Sequence, residues 1–225
     1  MISMVYIIWL FLFSGMISAG CNCQEMFMPR YIKQFPDVLS AAYCQALIDR
    51  FENDVRVQAD PQPEYSTRSY LNISQQFDWL REVQKITQIA DPILAEFFRL
   101  PDGYRAAEPK EWLNDGFVIA RYRPGDICAL HDDYQSPVPP ANGLRLATMI
   151  FFLNDVEEGG ELHFPAQEVK VKPRQGHAVV FPAQLTHPHE VLPPTSTRYV
   201  LQTWVIDPQL VVLEREIFEE LTGQL

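Results

Sequence analysis

The segment from 176 to 206 reads Gly176-His177-Ala178-Val179-Val180-Phe181-Pro182, then His189-Glu190-Val191-Leu192-Pro193, then Arg198-Tyr199-Val200-Leu201-Gln202-Thr203-Trp204-Val205-Ile206. These are short runs of β-branched and aromatic residues punctuated by glycine and proline. Such side chains suit a pleated, half-buried surface, and the punctuation ends ladders, so each run is expected to be a strand. Working outward, the same texture begins after Trp112. It places strands at 116–123, 127–132, 146–153, 161–164, 168–171, 177–181, 190–192 and 198–206. That many short strands at even spacing predict an antiparallel sandwich or barrel.

The flanks read differently. Ser40 is a good N-cap for a helix over 40–51, in which Tyr43, Leu47, Ile48 and Phe51 keep helical spacing. Residues 59–74, with Pro61, Pro63 and a Ser/Thr/Arg cluster, read as a loop. Phe77, Leu80, Val83, Ile86, Ile89 and Ala90 predict a second helix, with Pro92 starting or kinking a further piece through 98. A last helix is expected over 209–221. Helices ahead of the strands would cover one sheet, as a layered α+β arrangement requires.

Composition bounds the function. The 225 residues are 47% apolar, enough for a large core, and carry 29 acidic against 18 basic side chains, a net charge of −11. An acidic surface without a basic stripe repels phosphate backbones, so no nucleic-acid partner is expected. The four cysteines, Cys21, Cys23, Cys44 and Cys128, lack the spacing of a redox pair or a zinc site. Residues 1–25 contain a single acidic residue, Glu25, and an unbroken apolar run from 5 to 13, short for a bilayer span. A secretory signal, a short anchor and a true start at Met26 or Met28 all fit that segment. Membrane attachment is expected only if it is retained.

The chemistry lies among the strands. His131 and Asp133 are two residues apart, so one strand presents both on one face. His187 and His189 follow more than fifty positions later, where only a folded sheet can bring them to the first pair. Two imidazoles and a carboxylate on one face of a metal leave three positions open, the arrangement of non-haem Fe(II) oxygenases. Arg198, nine positions after His189, can hold a carboxylate in a bidentate pair.

His131-x-Asp133, Leu153-Asn154, Gly159-Gly160-Glu161-Leu162-x-Phe164 and His189-Glu190-Val191-Leu192-Pro193 up to Arg198 resemble the 2-oxoglutarate/Fe(II) dioxygenases of the prolyl 4-hydroxylase type. Pro188-His189-Glu190-Val191-x-Pro193 with Thr197-Arg198-Tyr199 and Trp204 is similar to the hypoxia-inducible-factor prolyl hydroxylases and their bacterial relatives. The resemblance covers roughly 116–207. It implies an α+β, mainly β, fold: a double-stranded β-helix (jelly-roll) core with the N-terminal helices packed on one sheet. The implied organisation is a hydrophobic segment 1–25, a helical support 29–112, the dioxygenase core 113–207 and a C-terminal helix 208–225.

The resemblance also implies a function, hydroxylation of a peptide or protein side chain, prolyl by default, with release of succinate and CO2. A non-catalytic 2-oxoglutarate/iron sensor and a hydroxylase of a small molecule are the alternatives. It selects His131, Asp133 and His189 as ligands of Fe(II), leaving His187 as the spare, and Arg198 as the holder of the distal carboxylate of 2-oxoglutarate. O2 is the other cosubstrate and ascorbate the expected reductant. One departure stands out: a family tyrosine that binds the same carboxylate corresponds here to Phe152, so Thr148 and Tyr122 are the candidate replacements. Loops 59–74, carrying Arg68 and Tyr70, and 134–143 are expected to control substrate access. An enzyme needing iron and 2-oxoglutarate favours the cytoplasm, unless the first segment serves as a signal or anchor.

Overall fold

The computed structural model describes residues 31–99, 113–134 and 145–206. The hydrophobic segment 1–25, most of loop 134–143 and the helix expected over 209–221 lie outside the described residues. In chain order the elements are β1 (Lys33–Phe35), α1 (Ala41–Glu52), β2 (Gln58–Ala59), β3 (Ser69–Asn72), α2 (Leu80–Phe98), β4 (Leu113–Tyr122), β5 (Cys128–His131), β6 (Arg145–Phe152), β7 (Leu162–Phe164), β8 (Val169–Val171), β9 (Ala178–Pro182), β10 (His189–Val191) and β11 (Arg198–Ile206).

The strands form two antiparallel sheets. The major sheet has the order β1-β9-β6-β11-β4-β3-β2 and the minor one β5-β10-β7-β8. Each strand puts alternate residues on opposite faces, so one run can feed two cores. In β6, Met149 and Phe151 point to a cluster with α1 and α2, while Ile150 and Phe152 enter the interior between the sheets. In β11, Leu201 and Val205 face the helices and Val200 faces the second sheet. The helices thus pack on one face of the major sheet, and the interior between the sheets is left for the site.

Several local causes are visible. The Ser40 side chain caps α1 by accepting from the Tyr43 N–H. Pro92 does not begin a new helix: it sits inside a single α2 that runs to Phe98. Loop 59–74 is a correction, because it contains β3 and a one-turn 3-10 helix at Ile73–Gln75. β3 pairs with β4, and the first residue of that expected loop, Ala59, ends β2. The stretch Tyr65–Thr67 also lies along β5. Ala129 N–H donates to Tyr65 O at 2.7 Å, and Thr67 N–H donates to Ile127 O at 3.1 Å.

At Gly159 the backbone has φ +70, and a Cβ there would lie 2.1 Å from the Pro193 carbonyl oxygen, so only glycine fits. No helix among the described residues is long and apolar enough to cross a membrane.

Candidate active site

Strand pairing brings the first two groups together. β10 pairs with β5 so that His189 lies opposite His131, and the register then shifts by one residue towards Val191–Cys128. Such a bulge re-aims side chains, here leaving Cys128 Sγ 3.9 Å from His131 Nδ1. Asp133 follows β5, its N–H donating to Ala183 O at 3.0 Å. One ligand-type atom from each of His131, Asp133 and His189 lies within 4.8 Å of the others.

The imidazole tautomers follow from the carbonyls. His131 Nδ1 is 2.7 Å from Ala129 O and His189 Nδ1 is 3.1 Å from His187 O, so both Nδ1 atoms carry hydrogens. Each Nε2 is left with a lone pair aimed at Asp133, 3.6 Å from Oδ1 and 3.4 Å from Oδ2 respectively. Two lone pairs and a carboxylate in contact repel unless a positive charge lies between them. The donor set of two nitrogens and one carboxylate oxygen therefore fits a divalent transition metal such as Fe(II).

A proton on His131 Nε2 is the other way to answer this crowding, so a metal ion competes with it. Burial opposes charge on His131, but Cys128, Asp133 and the Ala129 carbonyl outweigh it and push its pKa up to about 9. Burial also disfavours the Asp133 carboxylate, yet the two histidines and Thr148 hold its pKa below the usual range. His189 is held down, first by burial and also by the neighbouring His131. Phe181 and Phe164 wall His189 off, with ring centroids 4.7 and 5.6 Å away.

Arg198 opens β11 opposite Tyr122. Its guanidinium carbon stands 4.8 Å from the Tyr122 ring centroid and 5.6 Å from that of Phe152. The residue is 1% exposed, and Nε, Nη1 and Nη2 have no hydrogen-bond acceptor among the described residues. Burial presses its pKa below the ordinary guanidinium value, with the Tyr122 phenol opposing. A buried cation with all its donors unspent is costly, and an anion with two acceptor oxygens relieves that cost. The distal carboxylate of a dicarboxylate fits.

The Leu153-Asn154 motif acquires a physical reason. Asn154 Nδ2 donates to Thr197 O at 2.8 Å, and its Oδ1 accepts from Tyr199 N–H at 2.7 Å. The side-chain amide thus ties the peptide groups on both sides of Arg198. Gly160 completes the support, because a Cβ there would lie 3.2 Å from Arg198 Cδ.

Thr148 is a correction. Its Oγ1 donates to Asp133 Oδ2 at 2.7 Å, spending its only hydrogen on that acid and leaving none to offer a cosubstrate carboxylate. Tyr122 is buried with its hydroxyl 3.4 Å from Arg68 Nη1. His187, also buried, is outside the cluster: Nδ1 meets Thr186 Oγ1 at 2.9 Å, and burial followed by the nearby His189 pulls its pKa down to about 4. Asp132 is exposed and caps the turn by accepting from Tyr134 N–H. His163 pairs with Glu190 at 2.8 Å, and His177 approaches Asp37 at 3.8 Å. Sequence reasoning missed Arg145, which is buried, pairs with Asp115 at 2.6 Å and reaches the Asp133 carbonyl at 3.5 Å. No spacing signal marked it.

Residues 117–206 match the family model of the 2OG-Fe(II) oxygenase superfamily. Over 177 residues the chain is 27% identical to the Arabidopsis thaliana protein named "Probable prolyl 4-hydroxylase 9", covering 68% of this chain and 57% of that one. The chain spans less than two thirds of the curated relatives it matches. A viral collagen prolyl hydroxylase from Paramecium Bursaria Chlorella virus-1, solved with 2OG, superposes with a TM-score of 0.57 at 22% identity, covering 78% of this chain and 94% of that one. A prolyl hydroxylase from Trichoplax adhaerens, bound to a hypoxia inducible factor oxygen degradation domain peptide fragment, gives 0.63 at 16% identity, with 82% and 87% covered. The fold is the jelly-roll of these proteins.

Proposed function

We propose, from the premise that residues 117–206 are a 2OG-Fe(II) oxygenase domain of the prolyl 4-hydroxylase type, that this protein hydroxylates a peptide or protein side chain, with proline the first candidate. The observation that carries the reading is Arg198, a fully buried guanidinium with no acceptor among the described residues. It packs on Tyr122 and Phe152 of the same interior cluster whose Phe164 and Phe181 pack on His189 of the three converging ligand-type groups. His131, Asp133 and His189 would hold Fe(II), and Arg198 would hold the distal carboxylate of 2-oxoglutarate. When bound, the iron would supply the oxidation, in which 2-oxoglutarate and O2 give succinate and CO2 and one oxygen enters a substrate C–H bond.

The chain's own groups do the rest. The Ala129 and His187 carbonyls hold both Nδ1–H groups and so aim both Nε2 atoms at the shared site, and Thr148 orients the acid. Phe164 and Phe181 exclude water from His189. Ascorbate is the proposed reductant and a peptide the proposed partner; no nucleic acid is included, given the net charge of −11. We favour the cytoplasm, with a signal or membrane anchor in residues 1–25 as the alternative. A chain starting at Met26 is expected to be soluble and fully active, and mature protein in a secreted or periplasmic fraction would overturn this. The ligand-bearing domain taken as 113–207, supported by 29–112, contains every residue this reading uses.

The test is peptide- or lysate-dependent succinate release with Fe(II), 2-oxoglutarate and ascorbate, followed by mass spectrometry for the gain of one oxygen atom. No succinate with any peptide, despite tight 2-oxoglutarate binding, would replace this reading with a sensor.

A further inference from the structure

We infer that Arg68 is a positioning residue for the dicarboxylate: its donation to the Tyr122 phenol oxygen turns the phenolic hydrogen towards the anion held at Arg198, replacing the hydroxyl that Phe152 lacks. The inference rests on the cosubstrate reading above.

A phenol has one hydrogen to give and lone pairs to receive with. Arg68 Nη1 lies 3.4 Å from the Tyr122 oxygen and, having only hydrogens, can only donate there. The phenolic hydrogen must therefore point away from Arg68, and no acceptor for it is present among the described residues. Arg198, against whose guanidinium the Tyr122 ring packs at 4.8 Å, is likewise a pure donor with all three nitrogens unspent. Two sets of donors, one phenolic and one guanidinium, thus converge on a buried place where the described residues supply no acceptor.

The orientation of Arg68 is itself fixed. Its Nε donates to Asp60 Oδ2 at 3.0 Å, and the Asp60 N–H donates to Arg68 O at 2.9 Å. This closes the segment between β2 and β3 on itself and holds the guanidinium against Tyr122.

The test is calorimetric titration of 2-oxoglutarate, without O2, into metal-loaded wild type, Arg68→Met, Tyr122→Phe and the double variant. 2-Oxobutyrate, which shares the 2-oxo acid head but has no distal carboxylate, is titrated in parallel. Arg68→Met and Tyr122→Phe are each expected to weaken 2-oxoglutarate by about ten- to a hundredfold, the size of one hydrogen bond to a charged group. The double variant should be no weaker than either single one, and 2-oxobutyrate should be unchanged throughout. Arg68→Lys, which keeps a cationic donor, should recover part of the loss and guards against a folding defect in Arg68→Met. Additive losses, unchanged affinity in Arg68→Met, or an equal loss for 2-oxobutyrate would overturn the assignment. Failure of the wild type to bind 2-oxoglutarate would instead sink the cosubstrate reading itself.

Discussion

At the scale of single residues, the site separates into groups that hold a metal and groups that hold an anion, and substitutions should separate them too. His131→Ala, Asp133→Ala and His189→Ala are each expected to lose Fe(II) or Mn(II) binding, while His187→Ala retains it, as metal titration would read. Thr148→Val should lower metal affinity by roughly 10–100-fold, because the acid loses the donor that orients it. Arg198→Ala should keep the metal and lose about 3–5 kcal/mol of 2-oxoglutarate binding, with Arg198→Lys intermediate because an ammonium cannot reproduce the fork.

Much of this was legible in the chain itself. His131, Asp133 and His189 stood out by spacing and resemblance, as did Arg198 by its distance from His189. Thr148 takes Asp133 and not the cosubstrate as its partner, because a strand position reveals which face a hydroxyl takes, not which carboxylate arrives from the other sheet. Asn154 was visible as a motif, but its purpose needed the two peptide groups that it bridges.

At the scale of elements, all eight strands expected from the texture are present, because each carries its own apolar signal. β1, β2 and β3 were not legible. Lys33-Gln34-Phe35, Gln58-Ala59 and Ser69-Tyr70-Leu71-Asn72 have weak or no alternation and become strands only because β9, β3 and β4 respectively offer them a ladder. Turns between elements carry sharp demands. Gly159→Ala should destabilise the protein by well over about 1 kcal/mol, since it combines a positive φ with a clash against Pro193, and a lowered urea midpoint would measure this.

The end of α1 is fastened by Asp54, whose Oδ2 accepts from Trp79 Nε1 at 3.0 Å and from Arg56 Nη2 at 2.6 Å. Hydrogen bonds from Arg56 chiefly hold this carboxyl well below the usual range. Its contribution is therefore full above the unfolded value near 3.9 and lost as pH falls through the depressed folded value. Asp54→Ala should cost about 1–3 kcal/mol at neutral pH by stranding the Trp79 indole. That deficit should shrink below about pH 4, as denaturant curves across pH would record.

At the scale of the whole molecule, β6, β9 and β11 serve two interiors at once, so the helical layer and the site share a fate. Ile86→Ala, made in the fully buried face of α2, should cost about 2–5 kcal/mol and lower the single unfolding midpoint of the entire domain. The bare guanidinium of Arg198 then has a consequence beyond recognition. A folded state that binds an anion at this guanidinium gains stability by mass action, by about 2.7 kcal/mol at a hundred times the dissociation constant. The unfolded chain has no such site and gains nothing. Resistance to proteolysis is therefore expected to rise as 2-oxoglutarate is added to the metal-loaded protein, and limited proteolysis across such a titration would record it.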